Sequence, residues 1–285
     1  MENFKLIKEE ILRRAKSASA CAGQYKRALE AQSLEELAQV IKDNFAWCVY
    51  NRVLDTKIIG EYREEFASVG IYANESCNDG YVVIDSEVEN ISGNAIAILY
   101  DNATVNRVYD NATVNRVYDN ATVNEVCGNA TVNEVYDNAT VNEVYDNATV
   151  NRVCGNATVN RVCGNATVNE AWGNATVNEV YDNATVNGVW GNATVNAVYD
   201  NATVNRVCGN ATVNEVWGNA TVNRVYDNAT VNKVYDNATV NEVWGKAYIS
   251  VYSYIECKIS GNAIMRVRSE NKIYTNTEVE RPNNN

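Results

Sequence analysis

The chain has 285 residues, with 24 Lys plus Arg against 36 Asp plus Glu, no His and a formal charge of -12. An acidic balance of that size argues against general binding to nucleic acid or to an anionic membrane. Eight cysteines without one CxxC, in a chain lacking His, leave no zinc-type spacing, so no metal site and no cofactor is expected.

The first residues, MENFKLIKEEILRRAKS, lack the apolar core of a secretory signal and carry acids at Glu9 and Glu10. No stretch approaches the roughly 18 to 20 apolar residues of a membrane span. The expected location is the cytoplasm, where thiols stay reduced.

Residues 1 to about 71 read as a separate helical domain. Phe4, Ile7, Ile11 and Leu12 stand at helical spacing in a first helix, which the pattern allows to continue past Tyr25 and Leu29. Ser33 followed by Glu36 is a capping-box start, leading into Leu37, Val40, Ile41, Ala46, Trp47 and Val49. Asp55 is placed to cap another helix through Ile58, Ile59, Tyr62 and Phe66, ending at Gly70. Such a bundle would suit the end of a repeat array, which needs covering. Residues 72–99 form a transition, with Tyr81–Ile84 as a strand and Gly93-Asn94-Ala95-Ile96 as a degenerate first repeat.

From Tyr100 to Val243 one nine-residue phrase, [YCW]-[DG]-N-A-T-V-N-x-[VA], recurs sixteen times without insertion or deletion. Nine residues are about 2.5 helical turns, so an apolar stripe would jump to the opposite side of a helix at each unit. Nine is also odd, so one long strand would invert its buried face every unit. Each unit must contain a corner. Asn102, Thr104 and Asn106 read as outward and Ala103 and Val105 as inward; the alternation breaks at Arg107 and resumes with Val108, and Tyr109-Asp110 makes a second bend.

A short strand with a corner every nine residues is a β-solenoid. Two units per coil, 18 residues, is the preferred winding, giving eight coils over about 38 Å at roughly 4.8 Å each. Three units per coil would give a shorter triangular prism, and parity does not choose between them. Val and Ala columns would fill a narrow interior, and stacked Asn would hydrogen-bond along the axis. Those columns explain the invariance of the phrase without chemistry.

Two columns vary. The x position holds seven basic, seven acidic and two neutral residues, whose signs can pair along a stack. In the other column Tyr always precedes Asp, while Cys or Trp always precedes Gly. Tyr-Asp becomes Cys-Gly by two A-to-G changes in the standard code, which points to recent duplication of a 27-nucleotide unit. Beyond the array, Ala247 to Ile259 alternates with period two and reads as one half-buried strand interrupted at Ser253. Residues 244–280 make a degenerate C-terminal cap with Gly261-Asn262-Ala263-Ile264, and the tail 281–285 is expected to be disordered.

The phrase GNATVNEVWGNATV, together with IKDNFAWCVYNRVLD at 41–55, resembles a group of gut-bacterial proteins, some on phage-like elements, that carry tandem SATV- or GNATV-type nonapeptides. The resemblance implies no activity and no functional residue. Calcium-binding nonapeptides need GGxGxD, absent here. Nor is there a His, G-x-S-x-G, P-loop or Rossmann pattern to support catalysis.

The expectation is therefore a non-catalytic scaffold or binding module for a protein partner. Its candidate surfaces are the Thr columns, represented by Thr104, Thr113 and Thr122, and the corner column, represented by Tyr109, Tyr118, Trp172, Trp190 and Trp217. An acidic DNA mimic that occupies a DNA-binding enzyme is the first alternative, and an ice-binding or surface-lattice protein with flat Thr columns is the second. A phage fibre is a further reading. Direct binding of nucleic acid or membrane is not expected.

Overall fold

The computed structural model describes residues 2–276 and 279–280. The tail from Arg281, read above as disordered, lies outside the described residues.

Six short helices come first: α1 (Glu2–Ser17), α2 (Ala22–Glu30), α3 (Leu34–Asp43), α4 (Phe45–Tyr50), α5 (Thr56–Glu61) and α6 (Arg63–Ser68). Both expected caps form. Ser33 Oγ accepts from the Glu36 N–H, and Asp55 Oδ1 accepts from the Ile58 N–H at 2.9 Å. Where the sequence suggested long helices, the chain breaks three times. Ser19 takes a positive φ between α1 and α2, Asn44 separates α3 from α4, and Tyr62 separates α5 from α6. Each break lets a short apolar face turn inward, so that Ile7, Ile11, Leu37, Ile41, Val49, Ile58 and Phe66 share one core.

Then the solenoid begins. Strands β1 (Ile71–Ala73), β2 (Tyr81–Ile84), β3 (Glu87–Ile91) and β4 (Ile96–Leu99) lead into sixteen five-residue strands, from β5 (Thr104–Val108) to β20 (Thr239–Val243). Alternate strands join alternate sheets. One sheet runs β1-β2-β4-β6 and onward through the even strands, while the other runs from β3 through β5, β7 and the odd strands. Thr149 pairs with Thr131 and Thr167, each 18 residues away, and all pairs in the array are parallel. The protein is a β-solenoid of about ten turns with two units per coil.

Each unit contributes three inward residues. Ala103, Val105 and Val108, with their equivalents, are fully buried from one end of the array to the other. With the side chains of two sheets meeting at roughly 10 Å, nothing larger than Val fits every rung. Asn106 and Arg107 both face outward, so the alternation inverts at Arg107 as expected, but inside a continuous strand rather than at a bend. The chain reverses once per unit, at Tyr109-Asp110-Asn111-Ala112, where the Ala112 N–H reaches the Tyr109 carbonyl. The second residue of that turn has a positive φ in every unit, from Asp200 at 54° to Gly173 at 74°. Gly adopts this region freely and Asp tolerates it, which restricts the column to those two types.

The ends differ from the array. Val83 and Ile98 occupy outward positions in β2 and β4 and belong to the helical core, so these strands are apolar on both faces. The helices thus lie against the flank of the first coils. At the other end, Ala247–Ile259 is two strands rather than one. Residues Tyr248–Val251 (β21) join the odd sheet, Lys258–Ile259 (β22) join the even sheet, and 252–257 turn the corner between them. After Ile264–Val267 (β23), the strands Lys272–Tyr274 (β24) and Val279–Glu280 (β25) pair antiparallel and end the parallel stack.

Candidate docking surface

The outside of the rod consists of columns, each with its own chemistry. On both faces the strand Asn residues form a continuous ladder. Asn151 Nδ2 donates to Asn133 Oδ1 at 2.8 Å, and Asn169 Nδ2 donates to Asn151 Oδ1 at 2.8 Å. The odd-sheet ladder starts on an acid, with Asn106 donating to Glu89 at 2.8 Å. Turn Asn residues form a looser ladder, for example Asn156 to Asn138 at 3.4 Å.

The x column splits into two by parity, and its charges pair along each stack. Arg107 meets Glu125 at 2.8 Å, Arg161 meets Glu143 at 2.8 Å, and Lys233 meets Glu215 at 2.7 Å. Arg152 lies between Glu134 at 3.3 Å and Glu170 at 3.6 Å. Arginine beside Glu125 holds that carboxyl below the usual range, helped by a hydrogen bond from Tyr145. Corner aspartates are also engaged. Asp182 accepts from the Gly164 N–H at 3.1 Å and Asp146 from the Gly128 N–H at 3.2 Å, one coil back. Among the described residues no three His, Cys, Asp or Glu side chains converge on one point, and no helix is long and apolar enough to cross a membrane.

The corner column also splits in two. The stack that follows the even sheet reads Tyr100, Tyr118, Tyr136, Cys154, Trp172, Trp190, Cys208, Tyr226, Trp244. The other reads Tyr109, Cys127, Tyr145, Cys163, Tyr181, Tyr199, Trp217, Tyr235. Rings on adjacent coils stack. Tyr118 and Tyr136 have centroids 5.4 Å apart, Tyr226 and Trp244 4.8 Å, and Trp217 and Tyr235 4.0 Å.

The helical domain sits on the first of these stacks. Tyr50 of α4 meets Tyr118 at 5.9 Å, and the Arg52 guanidinium lies 3.9 Å above the Tyr100 ring while pairing with Asp101 at 2.9 Å. Arg116 in turn lies over the Tyr50 ring at 5.7 Å. Burial pushes the Tyr136 hydroxyl up to about 12 and the Tyr118 hydroxyl higher still.

The residues singled out from sequence fall in distinct places. Thr104 and Thr122 are neighbours in one column of the odd sheet, whereas Thr113 lies on the opposite face. All three are half-buried. Tyr118 is only 4% exposed, because the helical domain covers it, so it is not free surface. Tyr109 is half-buried beside the transition segment. Trp172 is 47% exposed and has no ring partner among the described residues. Trp190 folds over Gly188, where an added Cβ would meet its Nε1 at 2.1 Å, and Trp217 donates from Nε1 to Glu215 at 3.1 Å.

A cavity of about 250 Å³ in the helical domain, lined by residues such as Ile11, Tyr25, Leu37, Trp47 and Cys48, was not foreseen. Its residues are dispersed over four helices, so no local pattern announces it. Burial pushes the Cys48 thiol up to about 12. No family model matches the chain, and neither does any curated protein or solved structure.

Proposed function

We propose that the protein is a non-catalytic, cytoplasmic scaffold whose solenoid presents a regular docking surface to a protein partner, and that it derives from a phage or mobile element. The carrying observation is that the chain uses its own repeat corner as a docking surface. Tyr50 and Arg52 are seated on Tyr100, Tyr118 and Asp101, residues of the repeat phrase itself. The same phrase continues for thirteen further units beyond the helical seat. The fold is consistent with a structural or binding repeat protein, and the uncovered corner offers aromatic anchors of the kind that dominate interfaces.

The DNA-mimic reading is weakened by the charge pattern. The x-column acids pair with arginines and lysines on neighbouring coils, and the corner acids are spaced by Gly and bound to turn N–H groups.

Affinity capture from a nuclease-treated bacterial lysate tests the proposal, comparing the full chain with a Trp172→Ser, Trp190→Ser, Trp217→Ser variant. A protein retained by the first and lost from the second supports it. Capture of a DNA-handling enzyme that salt releases equally from both would put the mimic ahead. Nothing retained by either chain would leave a purely structural role.

A further inference from the structure

Four rungs of the array carry Cys where a ring would otherwise stand, and at three of them the residue one coil on is a Tyr that is already engaged. After Cys127, Tyr145 donates to Glu125 at 2.8 Å; after Cys163, Tyr181 lies under the Arg161 guanidinium at 5.3 Å; after Cys208, Tyr226 stacks on Trp244 at 4.8 Å. Cys154 is different. The residue one coil on is Trp172, whose indole is half exposed and has no ring partner among the described residues. On the other side stands Tyr136, which stacks on Tyr118 with an interplanar angle of 7° and offers its second face toward the Cys154 rung. The Tyr136 hydroxyl is buried with no hydrogen-bond partner.

Tyr136 and Trp172 are two coils apart, about 9.6 Å at the inter-strand spacing of a sheet. A flat ring placed midway would lie about 4.8 Å from each rung, and Tyr226 and Trp244 stack at 4.8 Å in this chain. Polar groups rim the gap, since Arg152 spans Glu134 and Glu170 on the adjoining column. The gap also continues an interface already in use, because Tyr50 packs on Tyr118, two rungs nearer the helices.

From this we infer that the corner at Cys154 is a slot for one aromatic side chain of a protein partner, held between Tyr136 and Trp172 as Tyr50 is held against Tyr118. The inference rests on the docking reading above and names the point at which a partner anchors. One stacked ring contributes little by itself, so a single free ring binds weakly and a partner adds the remainder through neighbouring contacts. Nucleobases are also flat, but the net charge of -12 opposes a nucleic-acid strand.

The probe is N-acetyl-tryptophanamide, with N-acetyl-leucinamide and adenosine as comparisons, on the full-length chain. Alkylation of each cysteine is followed by mass spectrometry, and probe contact by saturation-transfer NMR. The expected result is slowed alkylation of Cys154 at millimolar tryptophanamide, with Cys163 unchanged. The NMR signal should fall at least about fivefold in Cys154→Tyr and Trp172→Ser, yet persist in Cys208→Tyr, three coils away in the same stack. Tyr is native to this column in other units, so Cys154→Tyr should fold, and circular dichroism checks that it does. An unchanged signal in Cys154→Tyr, equal protection by the leucine analogue, or protection by adenosine alone would each overturn the inference. Binding of the ring with no protein captured from lysate would keep the slot and remove the partner reading. Capture that survives Cys154→Tyr would do the reverse.

Discussion

Asn151→Ala is the sharpest test of why the phrase is so strictly kept. Asn151 donates to Asn133 at 2.8 Å and accepts from Asn169 at 2.8 Å, both in a half-buried ladder. Truncation removes two good bonds and leaves the Asn133 acceptor and the Asn169 donor without partners. At about 0.5–1.5 kcal/mol for each bond, the loss should be about 1–3 kcal/mol. Asn156 sits in the parallel turn ladder, where its bonds to Asn138 and from Asn174 are 3.4 Å long and exposed. That geometry is beyond the usual range, so Asn156→Ala should cost about 0–0.5 kcal/mol. Because each coil touches only its neighbours, a single unfolding midpoint is a poor readout for a solenoid. Native-state hydrogen exchange on residues 131–171 reports the local loss directly. Equal costs for the two variants would refute the claim that the strand ladder, rather than asparagine turn preference, maintains the phrase.

The turn column predicts a second contrast. Asp200 has a φ of 54° and accepts from the Asp182 N–H at 3.3 Å, so Asp200→Gly should change stability by less than about 1 kcal/mol. Asp200→Ala should cost about 1–2 kcal/mol in denaturant titrations, since a Cβ remains in the left-handed region without the acceptor. Val168→Ala removes two methyl groups from a dry interior and should cost about 2 kcal/mol or slightly more, measured in the same way. Gly188→Ala should displace the Trp190 ring without unfolding the chain, seen as a red shift in tryptophan emission, because the side-chain tip is what the new Cβ meets. Alkaline pH supplies the last. Tyr136 is raised to about 12 by burial, so its stabilising effect is complete below about 10 and is lost as pH rises toward 12, where the unfolded chain ionises first. Thermal melts between those values should show the decline, and Tyr136→Phe should make it shallower without abolishing it, since burial also raises Tyr118 and Tyr181.

Much of this architecture is legible in the sequence because the period is short and invariant. Parity alone removes the helix and the single strand, and the inward set Ala103, Val105 and Val108 follows from alternation. The charges lean only slightly toward two units per coil over three, with eight opposite-sign pairs along the x column against six. At a spacing of two units the x column pairs Arg107 with Glu125, Arg116 with Glu134, Arg161 with Glu179 and Arg224 with Glu242, all within 4 Å in the structure. What could not be read has a common cause. Asn44, Tyr62 and the corner at 252–257 lack Gly or Pro, so those breaks are imposed by packing of distant segments rather than by local propensity. Tyr118 looks identical to its repeat equivalents and is buried only because α4 reaches it from 68 residues earlier. A site on a uniform array is set by what covers it and what interrupts it, and both are tertiary facts.

Uniformity also constrains how such an array can change length. All units but the one ending at Ala171 supply the same three inward residues, so a duplicated unit packs equally well in either sheet. The exterior is not neutral to that choice. Adding one unit moves every downstream residue to the opposite sheet, exchanging the two corner stacks and carrying the C-terminal cap half a turn around the axis. Ladder charges beyond the insertion keep their partners, since 18-residue neighbours move together, but the seam itself receives new ones. Adding two units instead lengthens the rod by one coil, about 4.8 Å, and leaves each column on its own side. A partner that reads the Cys154 slot relative to the helical domain is indifferent to changes after Trp172 and sensitive to every change before it. The four units between the Tyr118 rung, where Tyr50 is seated, and the slot are therefore the part of the array whose count function should hold fixed, while the distal units are free to vary in number.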